Sequence, residues 1–189
     1  MFIVFEGIDG SGKGTQIRLL VEFLRARGKQ VLTTFEPTDN EIGQEIRKIL
    51  REHQDIGMID LQKMYCSDRA NHLKREIKPA LEQGKIVICD RYHDSTIAFG
   101  MLAMGKDVLE EMGNEFLKPD LTILLDVDPE VAMQRIEKRG ETKELFEKLE
   151  KLKKVRENYL SLENVKIING NRTVEEIFED VKKLVLDLI

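Results

Sequence analysis

Five short apolar runs recur along the chain without alternating apolar and polar positions. They are "FIVFE" (2–6), "VLTTF" (31–35), "IVICD" (86–90), "LTILLDV" (121–127) and "VKII" (165–168). Runs of this kind are typical of strands that are buried on both faces of a parallel sheet. The segments between them have the apolar spacing of amphipathic helices. The pattern therefore predicts a doubly wound α/β fold with a five-stranded parallel sheet and flanking helices.

The first helical segment follows directly on the first run and reads "KGTQIRLLVEFLRARG" (13–28). Its apolar residues recur with helical spacing, and Gly28 is a stop signal for the helix. In doubly wound folds, ligands bind beyond the carboxyl ends of the strands. Candidate chemistry is therefore expected directly after the apolar runs. The residues found there are 7–15, Glu36, Asp90, Arg91, Asp126 and Asp128.

The composition fits one globular domain. The chain has 189 residues, 41% of them hydrophobic, so a single domain over residues 1–189 with one sizeable core is expected. The formal net charge of -5 argues against binding to nucleic acid or an anionic membrane, because both usually need a basic surface. Cys66 and Cys89 are too few for a disulfide framework, and the first residues lack the features of a signal peptide. A cytoplasmic protein is the resulting expectation.

A glycine-rich segment, "GIDGSGKGTQ" (7–16), follows the first apolar run. The spacing Gly7-x-x-x-x-Gly12-Lys13 fits the phosphate loop, in which backbone N–H groups surround an anion at a helix N-terminus. Lys13 supplies a mobile positive charge for the outer phosphates. A nucleoside triphosphate site is therefore predicted. Its residues are Gly7, Ile8, Asp9, Gly10, Ser11, Gly12, Lys13, Gly14 and Thr15.

The phosphate-loop pattern continues with Ser or Thr, whose hydroxyl meets a magnesium ion, but here Gly14 follows the lysine. Thr15 is expected to cap the start of the helix and to donate to a phosphate. The ion must then depend more on carboxylates, through water. Asp90, at the end of an apolar run, is the first candidate and Glu36 the second. The predicted cofactor is Mg²⁺ bound with the triphosphate, with Asp90, Glu36 and Thr15 as the metal residues.

Two other interpretations of the loop remain. One is a glycine-rich turn without a ligand. The other is a dinucleotide fingerprint, which needs G-x-G-x-x-G, whereas the chain has Gly10-x-Gly12-x-Gly14 with a lysine inside it. Glu36 does stand where the ribose-binding acid of such a fingerprint would be. The full spacing favours the triphosphate site over both.

An acceptor that already carries a phosphate would explain why the chain has no obvious catalytic base. The second pKa of a phosphate is about 6, so an attacking phosphate oxygen is mostly ionised near neutral pH. Such a reaction needs cationic groups that hold two anions together in line. Lys13 and Arg91 are the candidates, because a guanidinium at a strand's carboxyl end suits bidentate phosphate contact.

The segment "CDRYHDSTIAFG" (89–100) resembles the DRY/H-x-x-S-x-x-A-Y/F segment of thymidylate kinases. The longer stretch "MYCSDRANHLKREIKPALEQGKIVICDRY" (64–92) is similar to the LFAADRAQH...IKPAL...G...DRY stretch of that family. The likeness extends over nearly the whole chain through four further segments, which are "GIDGSGKGTQ", "FEPTDNEIGQEIRKIL", "PDLTILLDVDPEVAMQRIEKRG" and "VRENYLSL". The resemblance implies the fold of the P-loop kinases and transfer of the ATP γ-phosphate to dTMP.

The resemblance also implies a role for each residue of a dTMP site. Tyr65 would stack on thymine, where the family usually has Phe, while Arg69 and Thr96 would contact the base and Phe99 would lie against the deoxyribose. Arg47 and Arg91 would hold the monophosphate, Asp9 would reach the 3'-hydroxyl or help to place the phosphates, and Glu36 would sit near metal and acceptor. The implied dTMP-binding set is Asp9, Glu36, Arg47, Tyr65, Arg69, Arg91, Ser95, Thr96 and Phe99.

Members of the family place a catalytic arginine either in the phosphate loop or in a mobile lid. Residues 10 and 11 are Gly and Ser, so the resemblance implies that a lid at about residues 138–150 provides it. Arg139 is the first choice, with Lys143 as a substitute. The implied catalytic set is Lys13, Arg91, Arg135 and Arg139.

The chain departs from the family pattern at two places. Glu144-Leu145-Phe146-Glu147 stands where relatives commonly carry Asp-Arg-Phe-Glu, which bears on the lid residue. Gly100 stands where a Gln near the base is frequent, which bears on the base contacts.

The sequence thus predicts a dTMP kinase that uses ATP and Mg²⁺. A kinase for another monophosphate, or one with a broader pyrimidine range, is the alternative in the same class. A regulatory NTP-binding switch is the alternative from a different class, although such switches normally have a hydroxyl after the lysine and an Asn-Lys-x-Asp guanine reader. The resemblance also implies a homodimer.

Overall fold

A computed structural model describes residues 1–138 and 145–188, with all of their side chains except those of 145–148. Within that range five strands form one sheet, in the order β2-β3-β1-β4-β5, and each neighbouring pair is parallel. The predicted fold class is confirmed, and the two last strands differ from the predicted runs only at their ends. The strands are β1 (Phe2–Glu6), β2 (Val31–Phe35), β3 (Ile86–Asp90), β4 (Leu121–Asp126) and β5 (Lys166–Asn169).

The strand order places β1 at the centre of the sheet, between β3 and β4. In this register Phe5 of β1 is opposite Asp90 of β3, and Glu6 is opposite Leu124 of β4. The chain leaves β1 towards the β2 side and reaches β4 on the other side only later, so the connections diverge around β1. Ligands of open α/β sheets bind at such a switch point. The segment after β1 and the residues after β3 therefore border the same crevice.

Helices cover both faces of the sheet. Ile3 and Phe5 of β1 pack with residues of the first and last helices, such as Leu24 and Val181. Phe2 and Val4, which alternate with them, pack on the opposite face. A π-helical turn at Leu73–Ile77 joins the third and fourth helices. The helices are α1 (Lys13–Arg25), α2 (Glu41–Glu52), α3 (Met58–His72), α4 (Lys78–Glu82), α5 (His93–Gly100), α6 (Lys106–Glu111), α7 (Pro129–Glu137), α8 (Leu145–Leu160) and α9 (Val174–Leu186).

The start of α1 corrects one prediction. The helix begins at Lys13, and its N-cap is Gly12, with φ +97° and no capping side chain. A residue with a side chain rarely adopts this conformation, whereas glycine does so readily. The prediction that Thr15 caps the helix is wrong, because Thr15 already lies inside the first turn. Helix α9, by contrast, begins with a capping box formed by Thr173 and Glu176.

The segment predicted as a lid, at about 138–150, lies only partly within the described residues. Lys138 follows the last residue of α7, and residues from 145 onward belong to α8. Arg139 and Lys143, the candidates for the lid residue, lie outside the described residues. Among the helices of the described ranges, none has the length and apolar character needed to span a membrane.

Candidate active site

The phosphate loop leads from β1 into α1 and borders a cavity of about 490 Å³. Gly10 has φ +81°, and a Cβ atom placed on it would lie 2.4 Å from the backbone oxygen of Ala132 in α7. Only glycine allows this close approach of two backbones. The loop is therefore seated tightly between β1 and α7. The cavity is lined by residues 9–15 of the loop together with Phe35, Glu36, Asp90 and Arg91.

Lys13 lies in the wall of this cavity and is folded back on the loop. Its Nζ atom donates to the backbone oxygens of Gly7, at 3.0 Å, and Ile8, at 3.3 Å. Burial, and then the positive charge of Arg91, lowers the pKa of Lys13 to about 8, against the nearby carboxylate of Asp90. The ammonium is thus held by weak, replaceable acceptors in a site where an added negative charge would stabilise it.

Asp90 ends β3 opposite the loop. Its Oδ1 atom is buried, lies 3.9 Å from the Lys13 ammonium nitrogen, and has no hydrogen-bond partner among the described residues. A buried carboxylate oxygen without a partner is costly unless a ligand satisfies it. One carboxylate beside a phosphate site is also the usual protein contribution to a Mg²⁺ ion, which keeps water and phosphate oxygens as its other ligands. The residues present therefore fit the predicted metal.

Glu36, the second metal candidate, is committed to other partners. It follows β2 and is buried; its Oε2 accepts from Arg69 Nε at 2.9 Å, and its Oε1 lies 3.0 Å from His72 Nδ1. Thr15, the third candidate, is half-buried in the cavity wall. Among the described residues no group of three His, Cys, Asp or Glu side chains is arranged to hold a metal. Asp90 is thus the best placed of the three candidates.

Arg91, directly after β3, is the most constrained residue of the site. Its backbone is left-handed, with φ +69°, which is uncommon for a residue with a side chain. Its guanidinium donates from Nη2 to Asp9 Oδ1 at 2.7 Å, and from Nη1 to Ser95 Oγ at 3.1 Å and Tyr159 Oη at 3.0 Å. Burial disfavours its charge, but the surrounding Tyr159, Asp9 and Glu6 raise the pKa of Arg91 above its ordinary value. The cation is therefore permanent.

Behind Arg91 lies a buried acid that the sequence did not identify as part of the site. Glu6, the last residue of β1, is fully buried, and its oxygens accept from Ser95 Oγ at 2.5 Å and Tyr159 Oη at 2.9 Å. Burial, followed by the negative charge of Asp94, raises the pKa of Glu6 to about 7. One signal was available: Glu6 is the only charged residue of the otherwise apolar run "FIVFE".

The predicted base contacts lie together on α3 and α5. Arg69 is only 1% exposed, and its Nη2 donates to Thr96 Oγ1 at 2.9 Å. Tyr65, one turn before Arg69, is half-buried. The ring of Phe99 lies 5.2 Å from the guanidinium carbon of Arg91. The structure thus brings base, sugar and phosphate candidates into one neighbourhood. Phe35, 43% exposed in the cavity wall, is a further lining residue that the sequence did not single out.

The two remaining arginine candidates sit at the margins. Arg47 on α2 donates to the backbone oxygen of Pro37 at 2.5 Å and pairs with Asp39 at 2.6 Å. Arg135 on α7 donates to the backbone oxygens of Gly10 and Ser11, each at 3.4 Å. Arg135 therefore links α7 to the backbone of the phosphate loop.

The structure gives a reason for glycine at position 100. A Cβ atom there would lie 2.7 Å from Leu109 Cδ2 and 3.4 Å from Gln62 Nε2. Leu109 is fully buried, so a long side chain at position 100 has no room. The amide of Gln62 approaches the same place from α3, and its buried Oε1 atom has no hydrogen-bond partner among the described residues. Gln62 was not predicted as a site residue.

The family model and the relatives that match this chain all point to one family. The family model described as thymidylate kinase matches residues 5–181. The "Probable thymidylate kinase" of Pyrococcus horikoshii is 42% identical over 195 residues, which cover 97% of this chain and 95% of the relative. The "Thymidylate kinase" of Symbiobacterium thermophilum is 39% identical, over 100% of this chain and 94% of the relative, and that of Maridesulfovibrio salexigens is 41% identical, over 100% and 96%. The chain belongs to the thymidylate kinase family.

Proposed function

We propose that the protein transfers the γ-phosphate of ATP to dTMP, giving ADP and dTDP. The observation that carries this proposal is the convergence of Lys13, Asp90 and Arg91 on one cavity at the switch point of the sheet. One wall of that cavity is a triphosphate-binding loop, and the other carries a permanently charged guanidinium. Two phosphates can therefore meet there, which is the requirement for transfer between nucleotides.

The donor occupies the phosphate loop. Backbone N–H groups at the start of α1 surround its phosphates, and the helix dipole favours their negative charge. Lys13 exchanges the backbone oxygens of Gly7 and Ile8 for phosphate oxygens, which carry a full negative charge and bind an ammonium more strongly. The donor phosphates thus supply the strong negative partner that the buried ammonium of Lys13 lacks.

The acceptor phosphate binds to Arg91. Arg47, whose guanidinium carbon lies 5.9 Å from the ring centre of the cavity-lining Phe35, is the second cation for it. An oxygen of the dTMP phosphate attacks the γ-phosphorus, and the bond from that phosphorus to the β-γ bridging oxygen breaks, which releases ADP. The attacking oxygen is already ionised near neutral pH, so no residue has to remove a proton. Arg91 offsets the repulsion between the two anions and holds the acceptor in line.

Asp90, assisted by Thr15, would hold Mg²⁺ through its Oδ1 atom, which accepts no hydrogen bond from the described residues. When bound, the ion neutralises charge on the donor phosphates. Tyr65 and Phe99 would enclose the thymine and the deoxyribose, and Arg69 and Thr96 would offer polar contacts to the base. The Glu36 carboxylate supports this arrangement because it fixes the Arg69 guanidinium before the substrate arrives.

The experiment that tests the proposal is a coupled assay with ATP and Mg²⁺ against dTMP, dUMP, UMP, CMP and AMP. Fastest turnover of dTMP is expected. Purified, folded protein that phosphorylates none of them contradicts the kinase function. Faster turnover of AMP or CMP contradicts only the acceptor assignment.

We also propose that the protein is a cytoplasmic homodimer, as the family resemblance implies. Leu50 on α2 and Ile59 on α3 are 47% and 56% exposed, and the two helices pack against each other. Both helices thus offer an exposed apolar residue to a partner. Light scattering after size-exclusion chromatography tests the oligomeric state. A mass of one chain at micromolar concentration contradicts the dimer.

A further inference from the structure

Arg91 is held on one side by a hydrogen-bond network whose members come from three different elements of the fold. Ser95 lies on α5, Tyr159 on α8 and Glu6 at the end of β1. The hydroxyl oxygens of Ser95 and Tyr159 lie 2.7 Å apart, and both accept from Nη1 of Arg91. Both hydroxyls also reach Oε2 of Glu6. Within the described part of the chain, no hydrogen bond joins Glu6 to the guanidinium, so Glu6 acts through the two hydroxyls.

The direction of the hydrogen bonds follows from the chemistry of the three groups. An ionised carboxylate only accepts, a guanidinium only donates, and a hydroxyl carries one proton and two lone pairs. In its ionised form, Glu6 therefore accepts the protons of Ser95 and Tyr159. The lone pairs of both hydroxyls then face Arg91, as its Nη1 donors require.

A second contact of Glu6 acts on the backbone of the same residue. Its Oε1 atom accepts from the backbone N–H of Tyr92 at 2.8 Å and from that of Ser95 at 3.1 Å. Tyr92 follows Arg91 directly, and Arg91 has the left-handed conformation described above. An uncommon backbone conformation persists where surrounding bonds determine it. Glu6 thus fixes both the turn that carries Arg91 and the orientation of its guanidinium.

We propose that Glu6 is a positioning residue for the acceptor phosphate, which holds Arg91 in place through Ser95, Tyr159 and the Arg91–Tyr92 turn. This assignment rests on the proposed transfer to dTMP. Asp9 holds the opposite end of the guanidinium, at Nη2. With both ends fixed, Arg91 loses little freedom when the phosphate binds, and this preorganisation strengthens binding of the acceptor.

Two conservative substitutions test the network. Tyr159→Phe removes one acceptor of Arg91 while it keeps the ring. Glu6→Gln keeps the shape but replaces an acceptor with an NH₂ donor, which turns the hydroxyl protons towards Arg91. We expect kcat/KM for dTMP to fall about tenfold in Tyr159→Phe and by more in Glu6→Gln, with the KM for ATP changed less than about twofold.

Tyr92→Phe is the matched control. It also removes a buried tyrosine hydroxyl, but one that has no hydrogen-bond partner within the described part of the chain. Tyr92 belongs to the network only through its backbone N–H, which this substitution keeps, so the kinetics should follow the wild type. Selective ¹⁵N NMR of the Arg91 side chain adds a readout without turnover: rotation of the guanidinium should be restricted in the wild type and in Tyr92→Phe, and freer in the two network variants.

The outcomes separate the two proposals. Wild-type protein that transfers nothing to dTMP overturns the proposed function and, with it, this assignment. An active wild type whose folded Tyr159→Phe and Glu6→Gln variants keep its KM for dTMP and its Arg91 rotation overturns the positioning role alone. Variants in which the KM values for ATP and dTMP rise together also overturn it, because a general loosening of the fold would act on both substrates.

Discussion

Glu36 and Arg69 form an ion pair in the interior of the protein. Arg69 Nη2 lies 2.8 Å from Glu36 Oε2, and neither side chain is more than 3% exposed. Each charge is therefore removed from water, and each is stabilised by the opposite charge of its partner. A pair of this kind fixes orientation more reliably than it adds stability, since both ions are desolvated. Here it fixes the residue that is proposed to face the base.

Removal of one partner leaves the other charge buried and alone. We expect Arg69→Met to lower the free energy of unfolding by about 3–5 kcal/mol, as is typical of a broken buried pair. Replacement of both partners, in Glu36→Gln with Arg69→Met, should cost less than the single change. Urea denaturation followed by circular dichroism measures both values.

The exposed pair Arg18–Glu22, with 2.8 Å between the charged atoms, is the control for this prediction. Arg18→Ala should change the free energy of unfolding by no more than about 0.5 kcal/mol. Equal costs for Arg69→Met and Arg18→Ala would show that the buried pair has no special dependence on both partners.

The lowered pKa of Lys13 predicts a basic limb in the pH profile of the free enzyme. In the proposed function the charged form of Lys13 binds the donor phosphates, and burial with the nearby Arg91 brings its pKa down to about 8. Above that pH, kcat/KM for ATP should fall by about tenfold for each pH unit. The limb should move to higher pH in kcat, because bound phosphate restores the charged form. Initial rates at low and at saturating ATP give the two profiles; a limb at the same pH in both contradicts the assignment to Lys13.

Glu6 predicts a dependence of stability on pH with the opposite sign to that of an ordinary salt-bridged acid. Its pKa is about 7 in the folded protein, against an ordinary value of 4.5, so the folded state keeps the proton over this interval while the unfolded state loses it. Its contribution to the free energy of unfolding is therefore largest below pH 4.5 and falls as pH rises towards 7.

The charged groups that interact electrostatically with Glu6 are Asp94 on α5, Arg91 after β3 and Lys13 on α1. The measurement is urea denaturation from pH 4.5 to 7.5 on wild type and Glu6→Gln, which lacks the titrating group. The difference in stability should shift in favour of the glutamine variant as pH rises. A difference that does not change with pH contradicts the raised pKa.

The phosphate loop offers a comparison between two glycines. Gly10→Ala should lower the free energy of unfolding by at least about 2 kcal/mol, because the residue has a positive φ and the new methyl group meets the oxygen of Ala132. Gly14→Ala is the control, since a Cβ there has no heavy atom within 4 Å among the described residues. In a helix it should raise stability by about 0.5–1 kcal/mol. Thermal unfolding measures the stability of both variants. A similar loss of stability in both would contradict the prediction.

The sequence predicted those features of the fold and the site that depend only on residues close together in the chain. Runs such as "IVICD" are apolar because the strand is buried on both faces, and the spacing from Gly7 to Lys13 identifies the loop without any distant residue. The start of α1 was predicted less well. Thr15 is a good capping residue in isolation, but the left-handed Gly12 ends the loop earlier and leaves Thr15 inside the helix.

The network around Arg91 could not be predicted because its members are far apart in the chain. Glu6 and Tyr159 are separated by 153 positions, and only the fold brings their side chains within 2.9 Å. Tyr159 lies in the segment "VRENYLSL", which contributed to the family resemblance without any assigned role. A buried acid at the end of an apolar strand is a signal of the right kind, although its partners become visible only in three dimensions.

The contact between Gly10 and Ala132 has a consequence for how this protein can change. Some members of the family carry the catalytic arginine in the phosphate loop, but here position 10 lies backbone against backbone with α7. An arginine could enter at position 10 only if the loop and α7 moved apart, so a substitution there would also require a change in their packing. Packing behind the loop, at a distance from the phosphates themselves, thus decides whether position 10 can carry a side chain.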